Sequence, residues 1–545
     1  MERELFLKHA LQNALNYGKA NPKAILARVL AEKPEWRRRI PEAERIAAEI
    51  AEEVNALSAE EREKRAGKFE FFQKEVREGL PPLENAVEGK VVTRFAPAPT
   101  GPLNVLHLLR AVMINWMYAR QYKGKFVLRL EDTDPKVVEE GFYKMIQEDL
   151  KAVGVKWDEF YIMSDFMDLY YQKAEGLLEK GKIYVCTCPA EEFKKLKEGG
   201  RDCECRANRL DKNLRRWHLM ISGHYTEGKA VVRFKTSMSE ANPALRDPPI
   251  LRISEAAHPL KGKKYRVWPL YNFANVIMDN KGGVTHAFRG KEHEVNSEIQ
   301  KRIFKELGMK QPVTVNFGMM YLPGEKLHTR DIKQGIREGK YSGWDDLRLY
   351  TVRAFLRRGF QPEALRKFSE ICGLSKTDIR IDIGNLEAIN RKLLDSRANR
   401  YMAVLKPEEV DISSMVRKGM GDYVHVKNHP EREDTRKVAV SGRLYVSGED
   451  FRKFKGQEVR LMDLFNVVLD TKARLAKNQE FDMKTPKIQW VAERNVKLDV
   501  LFPDRVEKAL GEEAIGRLGE GEIIQMIRIG FGRVEKQGTV VFAHK

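Results

Sequence analysis

Residues 91–116, VVTRFAPAPTGPLNVLHLLRAVMINW, pass from a β-branched strand through a Pro/Gly-rich turn into a helical stretch, and residues 125–135, KFVLRLEDTDP, return as a second strand. Short β-rich runs alternating with helical stretches such as 108–122 are the pattern of βαβ units and a parallel sheet. The turn offers helix-terminal N–H groups, with His107 nearby, to a phosphate, although such a loop taken alone also serves as a plain connection. A multidomain α/β protein with a parallel-sheet, nucleotide-binding core is therefore expected.

Working outward, the alternation stops across 184–265 and resumes at VWPLYNFANVIMD (267–279) and GVTHAFRG (283–290), so an insert splits the core. Upstream, Ile46, Ile50, Val54 and Leu57 recur at helical spacing in a segment punctuated by Pro22, Pro34 and Pro41. Ser58 followed by Glu61 reads as a capping box, and Pro81-Pro82 closes this helical module. Downstream, LRLYTVRAFLRRGFQPEALRKF (347–368) and LEAINRKLLDSRANR (386–400) are helical and arginine-dense. Beyond them, KVAVSGRLYVS (437–447), QEVRLMDLFNVVLD (457–470) and EIIQMIRIGFGRVEKQGTVVFAHK (522–545) read as short strands of antiparallel barrels. The expected domains are an N-terminal helical module (1–88), a first core half (89–183), an insert (184–265), a second core half (266–344), a helical domain (345–398) and C-terminal β-barrels (399–545).

At 545 residues, 42% hydrophobic and 32% charged, the chain holds several domains' worth of core, which excludes both a largely disordered chain and a membrane bundle. Nothing approaches the roughly 18 consecutive apolar residues of a membrane span. The start, MERELFLKHA, carries charge where a secretory leader is apolar. A cytoplasmic protein with no membrane partner is expected. The formal charge is +19, from 98 Lys+Arg against 79 Asp+Glu. Residues 1–90 hold 17 basic and 17 acidic residues, so the whole excess lies beyond them. A polyanion, most simply a nucleic acid, suits that excess, as against an even scatter of lysines.

Four of the five cysteines form Cys186-x-Cys188 and Cys203-x-Cys205, separated by 14 residues. Four thiolates so spaced suit a tetrahedral Zn²⁺ that staples the insert, and four protein ligands leave it no open position for a substrate. In a reducing compartment the alternative is four free thiols rather than disulfides. Cys372, alone in an apolar stretch, reads as a core residue.

Arg94, LRLEDTDP (128–135), WPLYNFAN (268–275), THAFRGKEH (285–293) and GEKLHTRDIKQGIREGKYSGWDD (324–346) follow one another along the core. Together these strings resemble the class I glutamyl-tRNA synthetases of archaeal type, which share a core with the glutaminyl enzymes. The similarity runs from about residue 91 to 400 and more loosely to the end. It implies an enzyme that activates L-glutamate with ATP and Mg²⁺ to glutamyl-adenylate and transfers the glutamyl group to the 3′ end of tRNA(Glu). It further implies a Rossmann-like core, an acceptor-stem insert, with zinc in some members, a helical stem-contact domain and two anticodon-binding β-barrels. A monomer is expected, and tRNA(Gln) is left open as a second partner.

By resemblance Arg94, Glu131, Tyr271, Asn275 and Arg289 match the amino-acid pocket. Glutamate brings two carboxylates and one ammonium, which calls for at least two well-placed cations or their hydrogen-bonding equivalents and an acidic or carbonyl ligand. Arg94 and Arg289 suit the cations, and Arg289 favours glutamate, because a neutral amide has no use for a buried guanidinium. The family signature His-Ile-Gly-His reads Asn104-Val105-Leu106-His107 here. Lys-Met-Ser-Lys-Ser reads Lys326-Leu327-His328-Thr329-Arg330. Asn104 can still donate to a phosphate, while Leu106 adds volume where the family glycine leaves bare backbone for adenine. Lys326 and Arg330 keep positive charge near the triphosphate, so Asn104, His107, Lys326 and Arg330 are the expected catalytic set. Two alternatives stay open: a glutaminyl-tRNA synthetase, and a tRNA-binding paralogue with weakened catalysis. Arg353, Arg357, Arg358 and Arg366 suit tRNA phosphates or a solvated helix face equally. Arg443, Tyr445, Arg460, Trp490 and Arg494 suit unpaired bases or the barrel core.

Overall fold

A computed structural model describes residues 2–17, 19–67, 69, 79–322, 328–416, 422–480 and 482–545. The chain divides into two units, Met1–Glu78 and Gly79–Lys545, so the first ends ahead of the boundary expected near residue 88.

In the first unit the prolines start helical segments: Pro22 opens the helix Pro22–Glu32, Pro34 a short 3₁₀ turn, and Pro41 sits in the first turn of Ile40–Ala56. A missing N–H costs nothing there, because the first helical donors have no intrahelical partner. Ile50 and Val54 are buried with Phe6, Leu11, Val29 and Trp36, and Ile46 and Leu57 pack half-buried against them. The capping box is reciprocal: Ser58 N–H donates to Glu61 Oε2 (2.9 Å) and Glu61 N–H to Ser58 Oγ (3.2 Å).

The second unit begins with three parallel strands, β1 (Val92–Phe95), β2 (Lys125–Leu130) and β3 (Glu159–Ile162). An antiparallel sheet follows, β4 (Ile183–Cys186), β5 (Val231–Phe234), β6 (Pro249–Ile253) and β7 (Val267–Pro269), paired in that order, so the insert's sheet extends past the expected end at 265 and takes in the start of 267–279. The parallel pattern returns with β8 (His286–Gly290) and β9 (Val313–Phe317). Thr285 N–H donates to Val92 O (2.9 Å) and Val92 N–H to Thr285 Oγ1 (2.8 Å), which sets the start of β8 beside β1. β2 and β8 are buried almost throughout, as a parallel sheet covered on both faces requires.

The insert and the helical segment do not stand apart from this core. Trp217 of the insert and Trp268 of β7 pack with Tyr170 and Phe273 of the flanking helices. Phe355, Leu365 and Leu386 of the helical segment join Phe126 and Leu128 of β2. Three of its arginines are engaged inside the fold: Arg353 with Glu148, Arg357 with Glu535, and Arg358 with the Ala543 carbonyl, whereas Arg366 is exposed.

The C-terminal region is β-rich and largely antiparallel, but among the described residues no sheet closes into the expected barrel. Its seven-stranded sheet has Asn399–Tyr401 at one edge and Ala403–Leu405 at the other. The edges are joined by Met402 alone, so a continuous chain segment stands where a closed barrel has a hydrogen-bonded seam. The Met402 N–H is taken by the Glu512 carboxylate (2.6 Å) instead. Trp490, one of the candidate base-stacking residues, is buried in the core with its Nε1–H on Met462 O.

Candidate active site

A cavity of about 520 Å³ opens at the carboxyl ends of the parallel strands, where an open α/β sheet leaves a crevice. Arg94, Glu131, Tyr271 and Arg289 line one part of it and Asn104 and His107 another. Arg94 comes from β1, Arg289 from β8, and Glu131 follows directly on β2, its N–H held by Pro97 O (2.8 Å). Tyr271 starts the helix Tyr271–Lys281 and stacks on His293 with ring centroids 5.3 Å apart. Asn275 lies one turn further along, its Nδ2 donating to Tyr271 O (3.1 Å), behind the wall rather than on it.

Two residues that the sequence reading did not single out organise this wall. Asp279 is buried, and its Oδ1 accepts from Arg94 Nε (3.1 Å) and Arg129 Nη1 (2.8 Å), while Arg289 Nη2 stands 3.9 Å from Oδ2. Arg129 also donates from Nη2 to Asn275 Oδ1 (2.6 Å) and stands 3.6 Å from Glu131. The signal for Asp279 was present: Tyr271, Asn275 and Asp279 fall at i, i+4 and i+8, one face of a helix. Arg129 shares a β2 face with Val127, two residues away.

The electrostatics follow from this packing. Burial opposes the Asp279 charge, but Arg94, Arg129 and Arg289 outweigh it and hold the carboxyl below its ordinary range. Burial pushes the Glu131 carboxyl up, against Arg129. Burial, then Arg94 as a like charge, lowers the Arg289 pKa. Arg289 keeps one firm partner, Gln300 Oε1, at 2.7 Å from Nη1. Three guanidiniums against two carboxylates leave the cluster one positive charge in excess.

On the other wall, Asn104 caps the short helix Val105–His107, its Oδ1 accepting the His107 N–H (2.8 Å). Its Nδ2 makes no hydrogen bond among the described residues. His107 is exposed on the cavity wall, and desolvation by the surrounding protein lowers its pKa. Leu106 lines the same wall. A side chain at Gly101 would run into the Thr329 methyl, so the turn after β1 and the helix Thr329–Arg337 meet only because position 101 has no Cβ. Lys326 and Leu327 lie outside the described residues. Arg330, expected beside the triphosphate, is 92% exposed and not on the cavity wall, where Thr329 stands instead.

The four cysteines of the insert converge, all four sulfurs lying within 4.8 Å of one another. Cys186 Sγ is 4.0 Å from Cys203 Sγ, and Cys188 Sγ is 3.6 Å from Cys205 Sγ. A tetrahedron with metal–sulfur bonds of about 2.3 Å places sulfurs about 3.8 Å apart. Thr187 N–H (3.4 Å) and Arg216 Nη1 (3.2 Å) donate to Cys205 Sγ, the outer contacts that thiolate ligands use. The donor set fits zinc.

Residues 90–396 match the family described as tRNA synthetases class I (E and Q), catalytic domain, and residues 398–483 match the anti-codon binding domain of the same class. A protein named glutamate–tRNA ligase from Pyrococcus furiosus is 44% identical over 99% of this chain and 99% of its own. Ligases of the same name from Thermococcus kodakarensis and Methanocaldococcus jannaschii are 42% and 39% identical, covering 100% and 98% of this chain and 99% and 98% of their own lengths.

Proposed function

The chain belongs to the class I tRNA synthetases of the E and Q kind, and from that premise we propose that it is a glutamate–tRNA ligase whose cavity converts L-glutamate and ATP to glutamyl-adenylate and pyrophosphate and then passes the glutamyl group to the 3′ end of tRNA(Glu), releasing AMP. The observation that carries the reading is the cluster of three arginines and two carboxylates with one positive charge in excess. Glutamate, with two carboxylates and one ammonium, carries one negative charge and neutralises it, whereas glutamine leaves it uncompensated. Arg94 and Arg289 take carboxylate, and Glu131 takes the ammonium, with Tyr271 completing the pocket and Asn275 supporting it from behind through Tyr271 and Arg129. Across the cavity, the Asn104 amide and the His107 ring donate to phosphate oxygens and Lys326 supplies positive charge as pyrophosphate leaves, while Arg330, exposed and off the cavity wall, adds its charge only from outside it. Mg²⁺ enters with the ATP phosphates rather than in a cage of protein ligands.

ATP–pyrophosphate exchange with glutamate or glutamine, each with and without tRNA(Glu), tests this reading. Glutamate-dependent exchange in the presence of tRNA is expected. Exchange with glutamine alone would make the chain a glutaminyl enzyme, and tRNA binding without exchange would make it a binding paralogue.

Cys186, Cys188, Cys203 and Cys205 would hold one structural Zn²⁺, which cross-links the two ends of the insert's cysteine loop and supplies no chemistry to the reaction. About one zinc atom per chain is expected by elemental analysis, and metal-free protein with full charging activity would refute the assignment. Cys188→Ser should release the metal and lower tRNA charging more than it lowers overall stability, because the cysteines pack in a small cluster with Tyr184 and Phe193 that is separate from the larger core joining the insert sheet to its flanking helices.

A further inference from the structure

Asn104 and His107 reach the cavity from a turn, residues 102–104, that has no sheet ladder of its own. Two of its backbone groups, and the N–H of Val105 just after it, are nonetheless held by partners from outside. Val105 N–H donates to Tyr350 O (2.8 Å), Val352 N–H donates to Leu103 O (2.9 Å), and Leu103 N–H donates to Asp149 Oδ2 (3.1 Å). The first two are backbone bonds, indifferent to side-chain identity. The third depends on one carboxylate from the helix Glu140–Ala152.

Asp149 is 2% exposed, and its other oxygen, Oδ1, lies 2.7 Å from Arg353 Nε. Arg353 Nη2 also donates to Glu148 Oε2 (2.8 Å) and Met145 O (3.3 Å), so one guanidinium grips a full turn of the helix that bears Asp149. Arg353 is itself fixed. Its helix, Val352–Arg358, is capped by Thr351 at one end and tied to the C-terminal sheet through Arg357 and Arg358 at the other. Burial raises the Asp149 carboxyl to about 6 against the pull of Arg353 and the Leu103 amide. A carboxylate that ionises less readily in the fold than in water adds no stability by being charged at neutral pH, which leaves geometry as its contribution.

We propose that Asp149, backed by Arg353, is a positioning residue for ATP: through the Leu103 amide it sets the turn from which Asn104 and His107 face the nucleotide. This rests on the reading of the cavity as the ATP and glutamate site. Asp149→Asn is nearly isosteric but keeps a single acceptor oxygen. The charged Arg353 captures that oxygen, and the amide NH₂ is turned against the Leu103 N–H. Removing the competitor with Arg353→Met frees the oxygen to return to Leu103.

ATP–pyrophosphate exchange by the full-length chain at saturating tRNA(Glu) reads both steps. Asp149→Asn is expected to raise the KM for ATP about tenfold while the KM for glutamate stays within about twofold, the scale of one lost hydrogen bond to a charged group. The double variant Asp149→Asn/Arg353→Met is expected to recover most of the ATP KM without recovering thermal stability, a rescue that a mere brace would not give. Unchanged KM values, KM values for ATP and glutamate that rise together, or no recovery in the double variant would each overturn the proposal alone. No glutamate-dependent exchange by the unaltered chain would overturn the ligase reading and the proposal with it.

Discussion

Asp279→Asn is expected to cost the unit Gly79–Lys545 about 3–5 kcal/mol of stability, the scale of a broken buried ion pair, and to lower kcat/KM for glutamate at least a hundredfold where the variant remains folded. One fully buried carboxylate balances Arg94 and Arg129 directly and Arg289 at longer range. Taking its charge away leaves three buried guanidiniums facing Glu131 alone. The folded-state pKa of Asp279 is depressed, so its contribution is present above the ordinary carboxylate range and is lost as pH falls through the folded value. Urea unfolding followed by circular dichroism at neutral pH checks the first part. An unchanged midpoint would mean that the arginines are balanced without Asp279. Glu131→Gln should cost less stability, because burial already disfavours that charge.

Arg289→Ala should lower kcat/KM for glutamate by an amount equivalent to about 2–5 kcal/mol of transition-state stabilisation, roughly thirtyfold to several thousandfold. Glutamine should lose much less. The guanidinium is buried, keeps one firm hydrogen bond, to Gln300, and faces the cavity with its pKa lowered by burial and by Arg94. A substrate carboxylate relieves both terms, whereas an amide relieves neither, so truncation narrows the gap between the two amino acids. The measurement is kcat/KM for glutamate and glutamine at saturating ATP and tRNA. A ratio equal to that of the unaltered chain would reduce Arg289 to a structural role, and preference for glutamate would then rest on Arg94 and the cluster charge.

What could be read along the chain was local in its physics. The capping box of Ser58 and Glu61 spans three residues, and its two hydrogen bonds are those that the spacing implies. The alternation of strand and helix around 91–130 sets the parallel core, because side-chain period and turn chemistry act within a few residues. Two close cysteine pairs 14 residues apart announce a four-sulfur cluster, and in the folded insert all four sulfurs lie within 4.8 Å of one another. Motif order along the core placed Arg94, Glu131, Tyr271 and Arg289 on a single cavity wall, since parallel strands must end at one edge of their sheet.

The tertiary structure decided which charges meet. Arg94 and Asp279 are 185 residues apart in the chain, and Arg129 and Asp279 are 150 apart. No periodicity spans such distances, so the helix face that carries Tyr271, Asn275 and Asp279 could be read from sequence while its three arginine partners could not. The same holds for Arg353, Arg357 and Arg358, which in sequence suited tRNA phosphates or a solvated helix face equally and in the fold are engaged with Glu148, Glu535 and the Ala543 carbonyl. It holds too for the C-terminal sheet, whose strands were legible one by one but whose open seam at Met402 was not. Sequence by itself determined the elements, the order of the core and the chemical inventory of the site. Only the packed chain determined which buried charge neutralises which, because burial makes each unpaired charge too costly to keep and so selects its partner across the whole fold.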